Sequence, residues 1–147
     1  LDTTTVAISA GATLVTGGVG RPPGVNRGYY VRPTVFADVT NDMTIAREEI
    51  VGPVLSVIAY DGVDDAVAIA NDSPYGLSGS VWGADGAAAA DIARRMDTGT
   101  VTINHFGMAF GAPFGGYKDS GLGRELGPEG VDAYLQKKSI SLDPAAG

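Results

Sequence analysis

An α/β fold, a layered sheet with flanking helices, is what this sequence predicts. Three observations carry the expectation. Residues 54–104 read as strand, helix, strand, helix, strand. Val54-Leu55-Ser56-Val57-Ile58-Ala59 is mostly apolar, as a strand covered on both faces should be. Short β-rich runs are bounded by Gly and Pro along the whole chain.

Taken in order, strands are expected at residues 12–16, 29–36 and 54–60. A helix follows at 61–70, where Asp61, Asp64 and Asp65 suit a helix N-terminus and Val63, Ala66, Val67 and Ala70 recur at helical spacing. After a strand at 79–82, the Ala-rich run 84–96 predicts a second helix. Asp85 is its cap, Arg94 and Arg95 sit in its last turn, and Thr98-Gly99 ends it. Residues 100–104 form the next strand. Pro128 opens a third helix over 128–137, with Val131, Tyr134 and Leu135 on one face. Residues 139–142 alternate as a final strand, and an isolated terminal strand needs a partner sheet, including one from another subunit. The closing Asp-Pro-Ala-Ala-Gly reads as a frayed end.

Composition narrows the chemistry. The 147 residues are enough for one domain and hardly for two. Cysteine is absent, which excludes disulfides, Cys-based zinc or iron–sulfur sites and any thiol nucleophile on these residues. A single histidine, His105, excludes a multi-His metal site, so no metal is expected. Ten Lys and Arg against 17 Asp and Glu argue against nucleic acid. The acids concentrate over residues 38–72, where Arg47 is the lone base, and a solvated face is the simplest reading. Neither a membrane span nor a signal peptide is recognisable, so the cytoplasm is the expected compartment. The first residue is Leu1 rather than Met, and the chain is read with processing or truncation in view.

Three segments could carry chemistry. Pro113-Phe114-Gly115-Gly116-Tyr117-Lys118-Asp119-Ser120-Gly121-Leu122-Gly123-Arg124-Glu125 is glycine-rich with interleaved charge. It fails the Walker pattern because Tyr117 separates Gly116 from Lys118. It fails the dinucleotide fingerprint because Leu126 takes the third glycine position. A structural loop and a ligand-facing loop both stay open. Glu48-Glu49 precedes an apolar strand, and paired carboxylates serve acid–base work, hydrogen-bond sugar hydroxyls, or simply face solvent. Asn104-His105-Phe106-Gly107-Met108-Ala109-Phe110 follows a predicted strand at its carboxyl end, where α/β proteins bind ligands. Phe106, Phe110 and Phe114 line an apolar pocket there or belong to the core.

Together the segments resemble one family, the aldehyde dehydrogenases. The resemblance runs over residues 11–142. It comprises Gly11-Ala12-x-Leu14-Val15-x-Gly17-Gly18, Tyr30-Val31-x-Pro33-Thr34-Val35 and Met43-x-Ile45-Ala46-x-Glu48-Glu49-Ile50-x-Gly52-Pro53-Val54. Asn71-x-x-x-Tyr75-Gly76-Leu77, Gly99-x-x-x-Ile103-Asn104 and the 113–125 loop follow in the family's order.

The resemblance implies the C-terminal portion of a catalytic domain over residues 1–136, with an oligomerisation strand and tail over 137–147. It implies NAD or NADP as cofactor, an aldehyde as substrate, and a homo-oligomer formed through residues 137–142. Glu49 matches the residue that hydrogen-bonds the nicotinamide ribose. Val51 stands where the family has a Phe that supports the nicotinamide. Phe114 matches a position bordering the substrate tunnel, and Phe106, Met108 and Phe110 fall in the segment that shapes aldehyde specificity. The family's nucleophilic Cys and base Glu lie upstream of these residues, so no catalytic residue is assigned and the chain alone is expected to be inactive. A non-catalytic binding or assembly module of the same fold, and a split enzyme completed by a second chain, are the competing expectations.

Overall fold

A short helix, α1 (Thr3–Ser9), begins the computed structural model, which describes residues 3–145. No helix is among the elements expected from the sequence there, and the three threonines are poor helix formers. Burial decides otherwise. Ala7 packs with Ala12, Phe36, Val39 and Ile45 in the core, and Gly11 at φ 101° stops the helix. Leu1 and the last two residues of the expected frayed end lie outside the described residues.

The chain divides into two units, Leu1–Pro74 and Tyr75–Gly147. In the first, β1 (Thr13–Thr16) pairs antiparallel with β2 (Thr34–Ala37), Leu14 opposite Phe36. A four-residue helix, α2 (Thr44–Arg47), precedes β3 (Val54–Ser56), which runs parallel to β2 with Val35 opposite Leu55. The order β1-β2-β3 makes β2 central, so Thr34 and Phe36 are buried while Val35 and Ala37 are half-buried. Helix α3 (Gly62–Asn71) follows. Its Asp61 does not cap through its side chain. Instead the Asp61 N–H donates to the Asp65 carboxylate at 2.8 Å. Val67 is buried and Ala66 half-buried, but Val63 and Ala70 of the predicted face are exposed.

Two expectations about this unit are corrected. The strand predicted over 29–36 begins only at Thr34, because Pro33 has no N–H for a ladder and restricts Arg32 before it. The run predicted over 54–60 pairs as a strand only to Ser56, although Val57 still donates to the Phe36 carbonyl at 2.8 Å. It is not covered on both faces: Leu55 and Val57 are exposed, whereas Val54 and Ile58 pack on the core.

The second unit contains β4 (Tyr75–Gly76), β5 (Ser78–Val81), α4 (Gly86–Ala93), β6 (Thr100–Ile103), β7 (Tyr117–Lys118) and α5 (Gly127–Asp132). The predicted strand–helix–strand is present: β5 and β6 are parallel, with Val81 opposite Ile103, and α4 packs on both. Asp85 caps α4 as expected, accepting from the Ala87 and Ala88 N–H groups at 2.9 and 3.2 Å. The helix stops at Ala93 rather than Met96. The two-residue strands β4 and β7 pair antiparallel and were not foreseen.

The fold class is thus mixed α/β, but among the described residues the sheet is divided into three small ones, of three, two and two strands. The third predicted helix ends at Asp132, not 137, and Val131, Tyr134 and Leu135 are exposed. Residues 139–142 form no strand among the described residues; Ile140 and Leu142 are exposed, and no strand lies beside them to satisfy a ladder. No helix among the described residues is long and apolar enough to cross a membrane.

Candidate functional site

In the first unit, the Glu48-Glu49 pair sits where α2 gives way to extended chain. Glu48 has φ −106° and ψ 142°, and its N–H still donates to Thr44. The helix end is pinned from the side. Arg47 donates to both carboxylate oxygens of Asp72, at 3.0 and 2.7 Å, and to its carbonyl at 2.8 Å. The hydrogen bond to Asp72 raises the Arg47 pKa above its ordinary value, so the cation persists throughout the neutral range. The Thr40 hydroxyl lowers Asp42 below the usual carboxylate range. That contribution to stability is present above the unfolded carboxyl's pKa and is lost as pH falls through the depressed folded value.

Beyond this anchor Ile50 packs on the core, and Thr34 N–H donates to the Pro53 carbonyl at 2.9 Å, so residues 50–53 are held at both ends. Glu49 is exposed, and among the described residues its carboxylate has no partner. Val51 is 84% exposed and adopts φ 52°. A β-branched residue in the left-handed region is strained by about 1–2 kcal/mol. Val51 helps to line an open cavity of about 520 Å³; Glu49 does not.

Because Val51 buries little, Val51→Gly is expected to relieve that strain. After the larger backbone entropy of glycine in the unfolded chain, the net gain is about 0.5–1 kcal/mol. It should appear as a higher urea midpoint, and a lower one would contradict the strain.

In the second unit Asn104, at φ 55°, accepts from Gly83 N–H and donates to the Gly83 carbonyl, both at 2.8 Å. This pair of hydrogen bonds between the Asn104 amide and the Gly83 backbone closes the carboxyl ends of β5 and β6. The chain then leaves as an exposed loop, with Phe106, Met108 and Phe110 at 96, 50 and 75% exposure. Phe114 differs. It is half-buried, exchanges both backbone hydrogen bonds with Glu125 at 2.7 Å, and lines a cavity of about 330 Å³ with Leu77, Ser120 and Arg124. The four apolar residues therefore do not form one enclosed wall. Glu49 and Val51 belong to the other unit.

The glycine-rich loop is tied to itself. Arg124 donates to the Gly123 and Gly116 carbonyls at 2.6 and 3.2 Å, and its guanidinium lies 5.4 Å from the Tyr117 ring centroid. Ser120 Oγ accepts from Gly76 N–H at 2.9 Å. These contacts favour the structural reading of the loop over phosphate cradling. No cluster of His, Asp or Glu among the described residues is arranged to hold a metal ion.

The sequence model of the aldehyde dehydrogenase family matches residues 2–140. The chain belongs to the aldehyde dehydrogenase family. A curated relative, the geranial dehydrogenase of Castellaniella defragrans, is 60% identical over 131 residues, which is 89% of this chain and 27% of that protein. The crystal structure of a Mycobacterium tuberculosis aldehyde dehydrogenase complexed with NAD+ superposes with a TM-score of 0.91 at 55% identity, covering 95% of this chain and 29% of that one. A mutant aldehyde dehydrogenase from Pseudomonas syringae, complexed with NAD+ and octanal, also gives a TM-score of 0.91, at 51% identity over 94% of this chain and 28% of that one. This aldehyde dehydrogenase chain therefore spans between a quarter and a third of the length of these relatives.

Some features of the site escaped the sequence reading. The Arg47–Asp72 fork joins residues 25 positions apart, and only the packing of α2 near the end of α3 reveals it. Thr34, 3% exposed, donates to the Arg32 carbonyl and accepts from Gly18 N–H. A Thr at a buried strand position was the available sign, since its hydroxyl must find partners.

Proposed function

We propose that this chain supplies the C-terminal portion of an NAD(P)-dependent aldehyde dehydrogenase, which oxidises an aldehyde to a carboxylic acid, and that residues 1–147 alone are inactive. One observation carries the reading: Glu49, in the family's Glu-Glu-Ile-x-Gly-Pro segment, presents an exposed carboxylate without a partner among the described residues. Such a carboxylate fits the ribose hydroxyls of a nicotinamide nucleotide, accepting from both. Bound there, the cofactor supplies a hydride acceptor. Val51 would offer the nicotinamide end an aliphatic wall instead of a ring, and would hold it less firmly than a phenylalanine. Phe106, Met108, Phe110 and Phe114 would meet the aldehyde's apolar body. Residues 137–142 would join a partner subunit's sheet, where their unsatisfied backbone finds a ladder. The expected setting is the cytoplasm.

The chain's lack of cysteine limits what these residues do. They bind and orient, while the attacking thiolate must come from residues outside 1–147. The test is a pair of assays with straight-chain aldehydes and NAD+ or NADP+, followed by nicotinamide absorbance. The purified 147-residue chain should give no reduction, and the complete gene product carrying it should. Aldehyde oxidation by the 147 residues alone would overturn the proposal. A complete gene product that is inactive with both cofactors and has no cysteine would instead favour an assembly module.

A further inference from the structure

The loop between β1 and β2 holds Arg21, Arg27 and Arg32, and residues 3–37 contain no Asp or Glu. In a chain of net charge −7 this is an island of positive charge. Arg21 and Arg32 line the cavity of about 520 Å³, together with Tyr29, Tyr30, Ile50 and Pro53, while Arg27 does not. Both lining guanidiniums are oriented by backbone. Arg32 Nε donates to the Arg21 carbonyl and Arg21 Nη1 to the Asn26 carbonyl, each at 2.9 Å.

Neither arginine forms an ion pair among the described residues, and both Nη groups of Arg32 and the Nη2 of Arg21 retain N–H donors without a partner there. The loop itself is fixed at its base. The Thr34 hydroxyl accepts from Gly18 N–H, and Gly17 at φ 86° lies so close to β2 that a Cβ would sit 2.2 Å from the Pro33 carbonyl oxygen. Two oriented forks of like charge, a pair of phenol rings and an apolar wall from Ile50 and Pro53 share one cavity.

We propose that this cavity binds an organic anion, a carboxylate on an aromatic or apolar body. Arg21 and Arg32 take the carboxylate, whose two oxygens match the planar donor fork of a guanidinium. Tyr29, Tyr30, Ile50 and Pro53 take the body, burying surface that otherwise faces water. Glu49 does not line this cavity, so the site goes beyond its proposed role, although Val51 borders both.

The test is arginine modification by phenylglyoxal on the complete gene product, with mass-spectrometric localisation. Benzoate is the probe, benzamide its neutral counterpart, and inorganic phosphate the anion without a body. Benzoate should slow modification of Arg21 and Arg32 roughly fivefold or more and leave Arg27 unchanged, and benzamide should protect none of them. Arg21→Gln should weaken benzoate binding about tenfold, with Arg27→Gln within about twofold of the unsubstituted protein. Thermal melting identifies any variant that fails to fold, and the protection experiment stands without the variants. Equal protection of all three arginines, protection of none, or phosphate protecting as well as benzoate would overturn the proposal.

Discussion

Phe36→Ala is expected to remove a large share of the first unit's stability, from about a third to all of it. Phe36 is fully buried on the central strand and touches a core assembled from α1, α2 and β3. Truncating a buried phenylalanine to alanine costs about 3–5 kcal/mol, from lost transfer energy and the cavity left behind. A unit of this size holds roughly 4–11 kcal/mol in total. Among the described residues this core has no second large, fully buried side chain to absorb the loss, since its other buried members are Ala7, Ala12, Val39 and Ile45. Phe36→Leu nearly conserves volume and should cost only about 1 kcal/mol. Urea unfolding followed by far-UV circular dichroism separates the two, and an unchanged midpoint for Phe36→Ala would refute the packing described for β2. The consequence reaches the site, because residues 50–53 hang from this core through Ile50 and from β2 through the Thr34–Pro53 hydrogen bond.

Gly99→Ala is the second large effect, and it acts on the other unit. A Cβ at residue 99 would lie 1.7 Å from the Gly115 carbonyl oxygen and 2.9 Å from its carbonyl carbon. The obstacle is backbone, so no side-chain rotation relieves it, and the two backbone segments at Gly99 and Gly115 must move apart. Overpacking of this kind costs about 3 kcal/mol. The local hydrogen bonds from Gly99 to Gly76 and from Thr100 to Leu77 are at risk with it. Phe114, adjacent to Gly115, should shift relative to its cavity. Trp82, the single tryptophan, lies just beyond β5 and reports on this unit through its fluorescence. Gly86→Ala is the control: no atom lies within 4 Å of its Cβ, and alanine favours the helix. Gly99→Ala with the stability of Gly86→Ala would exclude the close approach.

How much of this was legible beforehand follows from the range of each interaction. The cap at Asp85 and the strand–helix–strand around it depend on residues a few positions apart, and both were readable. The start of the strand predicted over 29–36 was misplaced although Pro33 announces it, because the β-rich run Tyr29-Tyr30-Val31 outweighed one missing N–H. Helix α1 could not be read from threonine propensities, since the burial of Ala7 against distant Phe36 stabilises it. Within 54–60 the core covers Val54 and Ile58 but leaves Leu55 and Val57 exposed, and in the run predicted over 128–137 Val131, Tyr134 and Leu135 are exposed as well.

By itself the sequence determined the family, the α/β class and the absence of a thiol, because motif order, hydrophobic period and composition are one-dimensional properties. It also singled out Glu49 and the loop after Asn104 as candidates. Only the tertiary structure decided that Val51 is held in a strained backbone conformation and that Arg47 forks onto Asp72. It alone revealed that the arginine-bearing loop and the Ile50–Pro53 segment share one cavity. Those facts depend on which distant residues meet, and such meetings are set by packing around Phe36 and by backbone hydrogen bonds between strands, neither of which is written in local spacing.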